Sequence, residues 1–126
     1  VYVGNGSDIF KIETNGNTVL QVIPIPGFSR NLTVSPNGEK VFVATQSNSI
    51  YSINVADNAV TIISFGTAVS LYGVAVSSNT NLAFATDEWN DVVFVFDALT
   101  GSVTNDAFGM PLQISVGTTP RAIAAQ

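Results

Sequence analysis

An all-β fold made of three copies of one four-stranded unit is predicted by three observations. Short runs of β-branched and aromatic residues recur along the chain, turn residues separate them, and the whole pattern repeats. The first run of each copy starts at Val1, Val41 and Leu82, a spacing of 40 and then 41 residues. A period of about 40–45 residues holding four short strands is the signature of a β-propeller blade. No stretch sustains a helical period.

The elements follow in order. The first copy carries runs at Val1–Asn5, Ile9–Glu13, Val19–Ile25 and Arg30–Ser35. The second carries Val41–Thr45, Ile50–Asn54, Val60–Phe65 and Tyr72–Ser77. The third carries Leu82–Thr86, Val93–Asp97, a run from Ser102 onward, and Arg121–Ala125. Val, Ile, Phe, Tyr and Thr dominate these runs, as a pleated, half-buried surface requires. Asn15-Gly16-Asn17, Asp57-Asn58 and Thr100-Gly101 fall at equivalent places and are read as hairpin turns. Pro36-Asn37-Gly38 and Ser78-Asn79-Thr80-Asn81 form a second equivalent set. The repeats therefore span about 1–40, 41–81 and 82–126 of a single unit. The third copy has extra residues at Asp106–Pro111, so an irregular outer edge is expected there.

Composition narrows the function. Apolar residues make up 46% of the chain and charged residues 10%, against about 25% charged in an ordinary domain. The only cations are Lys11, Arg30, Lys40 and Arg121, and the net charge is −5. A nucleic-acid surface needs clustered Lys and Arg to displace counterions, so nucleic acid is excluded as a partner. Anionic membrane surfaces are excluded for the same reason. There is no cysteine and no histidine. This removes thiolate chemistry, the commonest general base and the commonest transition-metal ligand. No apolar run reaches the about 18 residues of a membrane-spanning helix, so no membrane insertion is expected. The first residue is not Met, which points to a processed or excised segment.

Particular residues resemble a known family. Leu32-Thr33-Val34-Ser35-Pro36-Asn37-Gly38-Glu39-Lys40-Val41-Phe42-Val43 resembles the AVSPDGKRLYVTN core of YVTN-type propeller repeats. Val92–Asp97 resembles the VSVID strand that follows it, and Val116–Ala124 resembles the VGxxPRGVA segment. The chain departs from the pattern at Tyr72-Gly73, where the family has Pro-Arg, and at Ser78-Asn79-Thr80, where it has Pro-Asp-Gly. The family is found in surface-layer proteins and other propellers, which implies an extracellular or cell-surface location. It also implies strand phase. With strands named A to D outward from the axis, Arg30–Ser35, Tyr72–Ser77 and Arg121–Ala125 are A strands. The chain then starts on a B strand and ends on an A strand. Closure of the first blade is expected from that last strand, either of a second copy in a six-bladed homodimer or of flanking blades in a longer chain.

In this layout the D–A and B–C connections share one face, where propeller ligands dock. Asp87-Glu88-Trp89-Asn90-Asp91 holds three of the nine carboxylates and the only Trp. Trp89 offers a flat face to a sugar ring or a partner side chain. Asp87, Glu88 and Asp91 are candidate polar contacts, and Ca²⁺ is the only cofactor their oxygens suggest. Arg30 and Arg121 share one repeat position and are candidates for holding an anionic group, with Tyr72 at the same level. An ordinary role in packing, or as a solvated acidic loop, competes with each of these readings. Enzyme chemistry has little support, because no Gly-x-Ser-x-Gly elbow and no His occur. The expected function is a non-enzymatic binding or structural module for a protein, peptide or glycan. The alternative is a hydrolase or lyase of a small carbohydrate or lactone.

Overall fold

The computed structural model describes residues 1–66 and 70–126. Among the described residues eleven strands form three antiparallel sheets in chain order. The first sheet comprises β1 (Tyr2–Asn5), β2 (Asp8–Ile12) and β3 (Val19–Pro24). The second comprises β4 (Ser29–Val34), β5 (Lys40–Thr45), β6 (Ser49–Asn54) and β7 (Val60–Ser64). The third comprises β8 (Leu71–Val76), β9 (Leu82–Asp87), β10 (Val92–Asp97) and β11 (Gln113–Ser115). Each sheet is a blade-like meander. Among the described residues there is no helix long and apolar enough to cross a membrane.

The turns form where their chemistry requires. Asn17 (φ 53°), Asn58 (φ 60°) and Gly101 (φ 76°) occupy the same place in the three C–D turns, each in the left-handed region. Asn and Gly are the residues that enter this region at least cost. In the first turn the left-handed residue is Asn17 and not its neighbour Gly16.

Pairing corrects the sequence alignment by one residue in the third copy. Val34 faces Val41 and Leu32 faces Val43, while Val76 faces Ala83 and Val74 faces Ala85. The equivalent of Val41 is thus Ala83, not Leu82. The two A–B turns are equally long, since Ser35 N–H donates to the Lys40 carbonyl and Ser77 N–H to the Leu82 carbonyl, so the shift enters before β8 and not in this turn. Leu82 accordingly takes the half-solvated place of Lys40.

The middle blade is covered on both faces. Phe42, Ala44, Ile50, Ile63 and Phe65 pack against Leu71, Val74, Ala83, Ala85, Phe94 and Phe96 of the third sheet. Val41, Val43, Tyr51 and Ile53 point the other way and meet Ile9, Ile23 and Ile25 of the first. This explains why β5 and β10 read as unbroken apolar runs: a strand buried on both faces has no polar side. The first sheet has only one covered face, so Val3, Leu20 and Val22 stay exposed.

Two lysines tie neighbouring blades at the A–B and C–D end. Lys11 donates to the Val55 carbonyl (2.9 Å) and to Asn58 Oδ1 (3.2 Å) of the next blade. Lys40 donates to the Leu99 carbonyl of the blade after. In that turn the Asp97 carboxyl is held below the usual carboxylate range, chiefly by the Thr100 backbone N–H.

The predicted fourth strand of the third copy is split. Val103 bridges Phe96, residues 104–112 bud outward around an Asn105–Pro111 bridge, and β11 resumes pairing with Val92–Phe94. A D strand is the outermost of its sheet, so an insertion there disturbs no further ladder.

The predicted A strand Arg121–Ala125 forms no ladder. The segment instead lies beside β8. Thr86 Oγ1 donates to the Arg121 carbonyl (3.4 Å), and Ser77 Oγ donates to the Gln126 carbonyl (2.7 Å). The approach is so close that a Cβ on Gly73 would sit 2.3 Å from the Arg121 oxygen. A strand exists only through a ladder partner, and the segment meets β8 sideways, as an inner strand of a following blade would. The edge of β1 opposite β2 is likewise unpaired among the described residues.

Candidate functional site

Backbone hydrogen bonds bring the D–A loops and B–C turns together at one end of the blades. Ile25 and Ser29 donate to Ser7 and Gly6, Phe65 and Leu71 to Asn48 and Ser47, and Val116 to Asp91. Gln46 N–H and Glu88 N–H in turn reach Phe28 and Ser70 carbonyls of the incoming loops. Each A strand therefore starts against a B–C turn, and its first residues stand at the same level as that turn. Arg30, Tyr72 and Arg121 hold this position in three successive segments.

The β9–β10 turn is built around Asp87. Its side chain is completely buried. Oδ1 accepts from the N–H groups of Ser70 (3.3 Å), Trp89 (3.1 Å) and Asn90 (3.4 Å), and Oδ2 accepts from Asn90 Nδ2 (2.8 Å). A carboxylate with this many donors serves the backbone, in the manner of an Asx turn. Glu88 is also buried. It accepts from Ser70 Oγ through Oε1 (3.1 Å) and from Arg121 Nε through Oε2 (3.0 Å). Trp89, between them and solvent, is 67% exposed.

Asp91 closes the turn at φ 57°, and its Oδ1 accepts from Thr119 N–H (2.7 Å). Thr119 itself is left-handed at φ 51°, an unusual conformation for a β-branched residue. This bond pins the loop that delivers Arg121. The guanidiniums of Arg30 and Arg121 each stand 5.3 Å from the centroid of the Tyr72 ring, within cation–π range.

Of the residues singled out in the sequence, Asp87, Glu88, Asp91, Arg121, Tyr72 and Arg30 form one connected cluster, and Trp89 projects from its turn. Asp87 and Glu88 do not present free carboxylates to a ligand, because both are buried and hydrogen-bonded. Among the described residues no group of three or more His, Cys, Asp or Glu side chains is placed to hold a metal. Ser70, 1% exposed, escaped the sequence reading although it serves both acids. Its sequence context is an ordinary Ser, and only the pairing of β8 with β9 brings it there. Phe28, 64% exposed, adds a second aromatic ring to the same face.

The architecture has counterparts among solved structures. The chain is similar to Citrobacter koseri AztD at 19% identity and a TM-score of 0.76, over 98% of this chain and 34% of that one. It is similar to the RRP9 WD40 repeats at 18% identity and a TM-score of 0.73, over 82% of this chain and 33% of that one. It is similar to the dihydro-heme d1 dehydrogenase NirN, solved in complex with DHE, at 16% identity and a TM-score of 0.73, over 100% of this chain and 27% of that one. The chain thus spans about a third of the length of these proteins or less. No family model matches it, and no curated protein sequence does. The three meandering sheets and these likenesses together make the chain a β-propeller fold.

Proposed function

We propose that the chain belongs to a non-enzymatic binding module built from YVTN-type repeats, exported to the cell surface, that takes a protein, peptide or glycan on its D–A and B–C loop face. One observation carries this reading: a 67% exposed Trp89 sits on a turn framed from beneath by the buried Asp87. Holding a large apolar ring in water on a rigid support is unfavourable unless something covers it, and such anchored aromatics dominate binding surfaces. The hydrolase alternative, which would draw on Asp8, Asp87 and Asp91, loses ground because Asp87 is buried among backbone donors and Asp91 Oδ1 accepts from Thr119 N–H.

Trp89 is the only Trp, so its emission reports on this face alone. Glycan and peptide panels titrated against the protein are expected to yield a ligand that alters this emission. Trp89→Ala is expected to weaken that ligand about tenfold or more. If the variant binds as the parent does, or if no panel member perturbs Trp89, the reading fails.

We further propose that the open edge of β1 is completed by an A strand equivalent to Arg121–Ala125, delivered by a second copy or by flanking blades. The ladder equivalences predict that Ile123 would face Val3, as Leu32 faces Val43 and Val74 faces Ala85. Light scattering of the 126-residue chain separates the two sources. A species of twice 13.2 kDa supports a second copy. A monomer assigns the edge to flanking blades.

A further inference from the structure

We propose that the guanidinium group of Arg30, seated with Arg121 on the Tyr72 ring, binds the carboxylate of an acidic carbohydrate. This deepens the binding reading above and rests on it.

The chain has four cations and a net charge of −5. Three of the four have acceptors. Lys11 and Lys40 donate to carbonyls of neighbouring blades at the far end, and Arg121 Nε donates to Glu88. Arg30 alone is exposed with no hydrogen bond or ion pair among the described residues. It is not loose, however. Its guanidinium is 5.3 Å from the Tyr72 centroid, the same distance as that of Arg121 on the same ring. Two like charges on one ring repel each other, and Glu88 offsets the charge of Arg121 only. An anion beside Arg30 removes the remaining repulsion. A fork oriented by stacking also loses little freedom on binding a carboxylate in bidentate fashion.

The remainder of the loop face suits a sugar. Asn48, Asn90 and Thr118 are exposed and uncharged. Each Asn amide, bonded once through Nδ2 to the Gly66 carbonyl or to Asp87, keeps a second N–H for a hydroxyl-rich ligand, and Thr118 adds a hydroxyl. Trp89 and Phe28 present bare rings on the same face, which stack well on the C–H faces of sugars. The free cation supplies what such a surface lacks for a uronic acid.

The test uses trigalacturonate, its fully methyl-esterified form and triglutamate, each titrated calorimetrically at low and high salt. Trigalacturonate is expected to bind. The ester and the Arg30→Gln variant are each expected to lose about tenfold or more, the loss of one charge-assisted contact. Arg30→Lys is expected to fall between them, since lysine keeps the charge without the fork. Thermal melting checks that the variants stay folded; Arg30 is exposed, so little change is expected. The proposal is overturned if trigalacturonate does not bind, if the ester binds as well, if Arg30→Gln is without effect, or if only triglutamate binds. A neutral glycan or peptide that binds through Trp89 regardless of Arg30 would overturn this proposal and leave the binding reading standing.

Discussion

Replacing Phe96 with alanine is expected to destabilise the fold by about 3–5 kcal/mol, the range for deleting a fully buried Phe side chain. Phe96 is completely buried between the second and third sheets. It meets Phe42 edge-on at 5.4 Å and 71° and Phe65 edge-on at 5.8 Å and 70°. Phe65 in turn lies 5.0 Å from Phe94. Ring pairs of this kind contribute about 0.5–1.5 kcal/mol beyond area burial. Phe96→Ala therefore loses the transfer term, opens a cavity and breaks two ring contacts at once. A domain of ordinary stability, about 5–15 kcal/mol, would retain little. Urea denaturation of the two proteins measures the difference. A loss below about 1 kcal/mol, the scale of an ordinary surface change, would mean that the two sheets do not pack face to face through these rings.

The second large effect is expected at Asp87. Its carboxylate is buried and receives three backbone N–H groups and one side-chain amide. Asp87→Ala strips the partner from Ser70 N–H inside the protein, where an unpaired donor costs about 1–3 kcal/mol. The donors of Trp89 and Asn90 lie nearer solvent, and water replaces part of what they lose. A total near 3 kcal/mol is expected from these contributions. The variant should also free the turn, so Trp89 fluorescence anisotropy is expected to fall. Asp87→Asn should be milder, because one acceptor oxygen survives. Its new amide would nevertheless face Asn90 Nδ2, donor against donor. Unchanged stability with unchanged anisotropy in Asp87→Ala would show that the turn is held by something other than this side chain.

Most of the fold was legible because its determinants are local. Ile50-Tyr51-Ser52-Ile53 and Val41-Phe42-Val43 were recognisable as strands from residue type, and both form. The C–D turns were recognisable because a left-handed residue is required there and Asn or Gly supplies it. The candidate site was legible in part. Arg30, Tyr72 and Arg121 share a repeat position, which announced their common level. Their convergence on one ring was not announced, since it depends on how the segments lie beside each other.

The acidic turn shows the boundary most clearly. Asp87-Glu88-Trp89-Asn90-Asp91 reads as a solvated acidic loop or an open ligand patch, because a run of carboxylates carries no sign of which are buried. Only the tertiary structure divides them. Ser70 and Arg121 come to Asp87 and Glu88 from 17 and 33 residues away, and those long-range donors make burial affordable. Trp89 stays outside while Asp87 and Glu88, which precede it, are buried. The segment from Arg121 to Ala125 makes the same point for the backbone. Its sequence carries the strand pattern, but a strand is a paired state, and pairing depends on an edge that the pattern cannot supply. By itself, then, the sequence determined the repeat, the strands and the turns, all of which follow from side-chain alternation and backbone dihedrals of adjacent residues. The tertiary structure alone decided which polar groups are satisfied, which ring stays in water and which strand finds a partner, because each of these depends on residues distant in the chain.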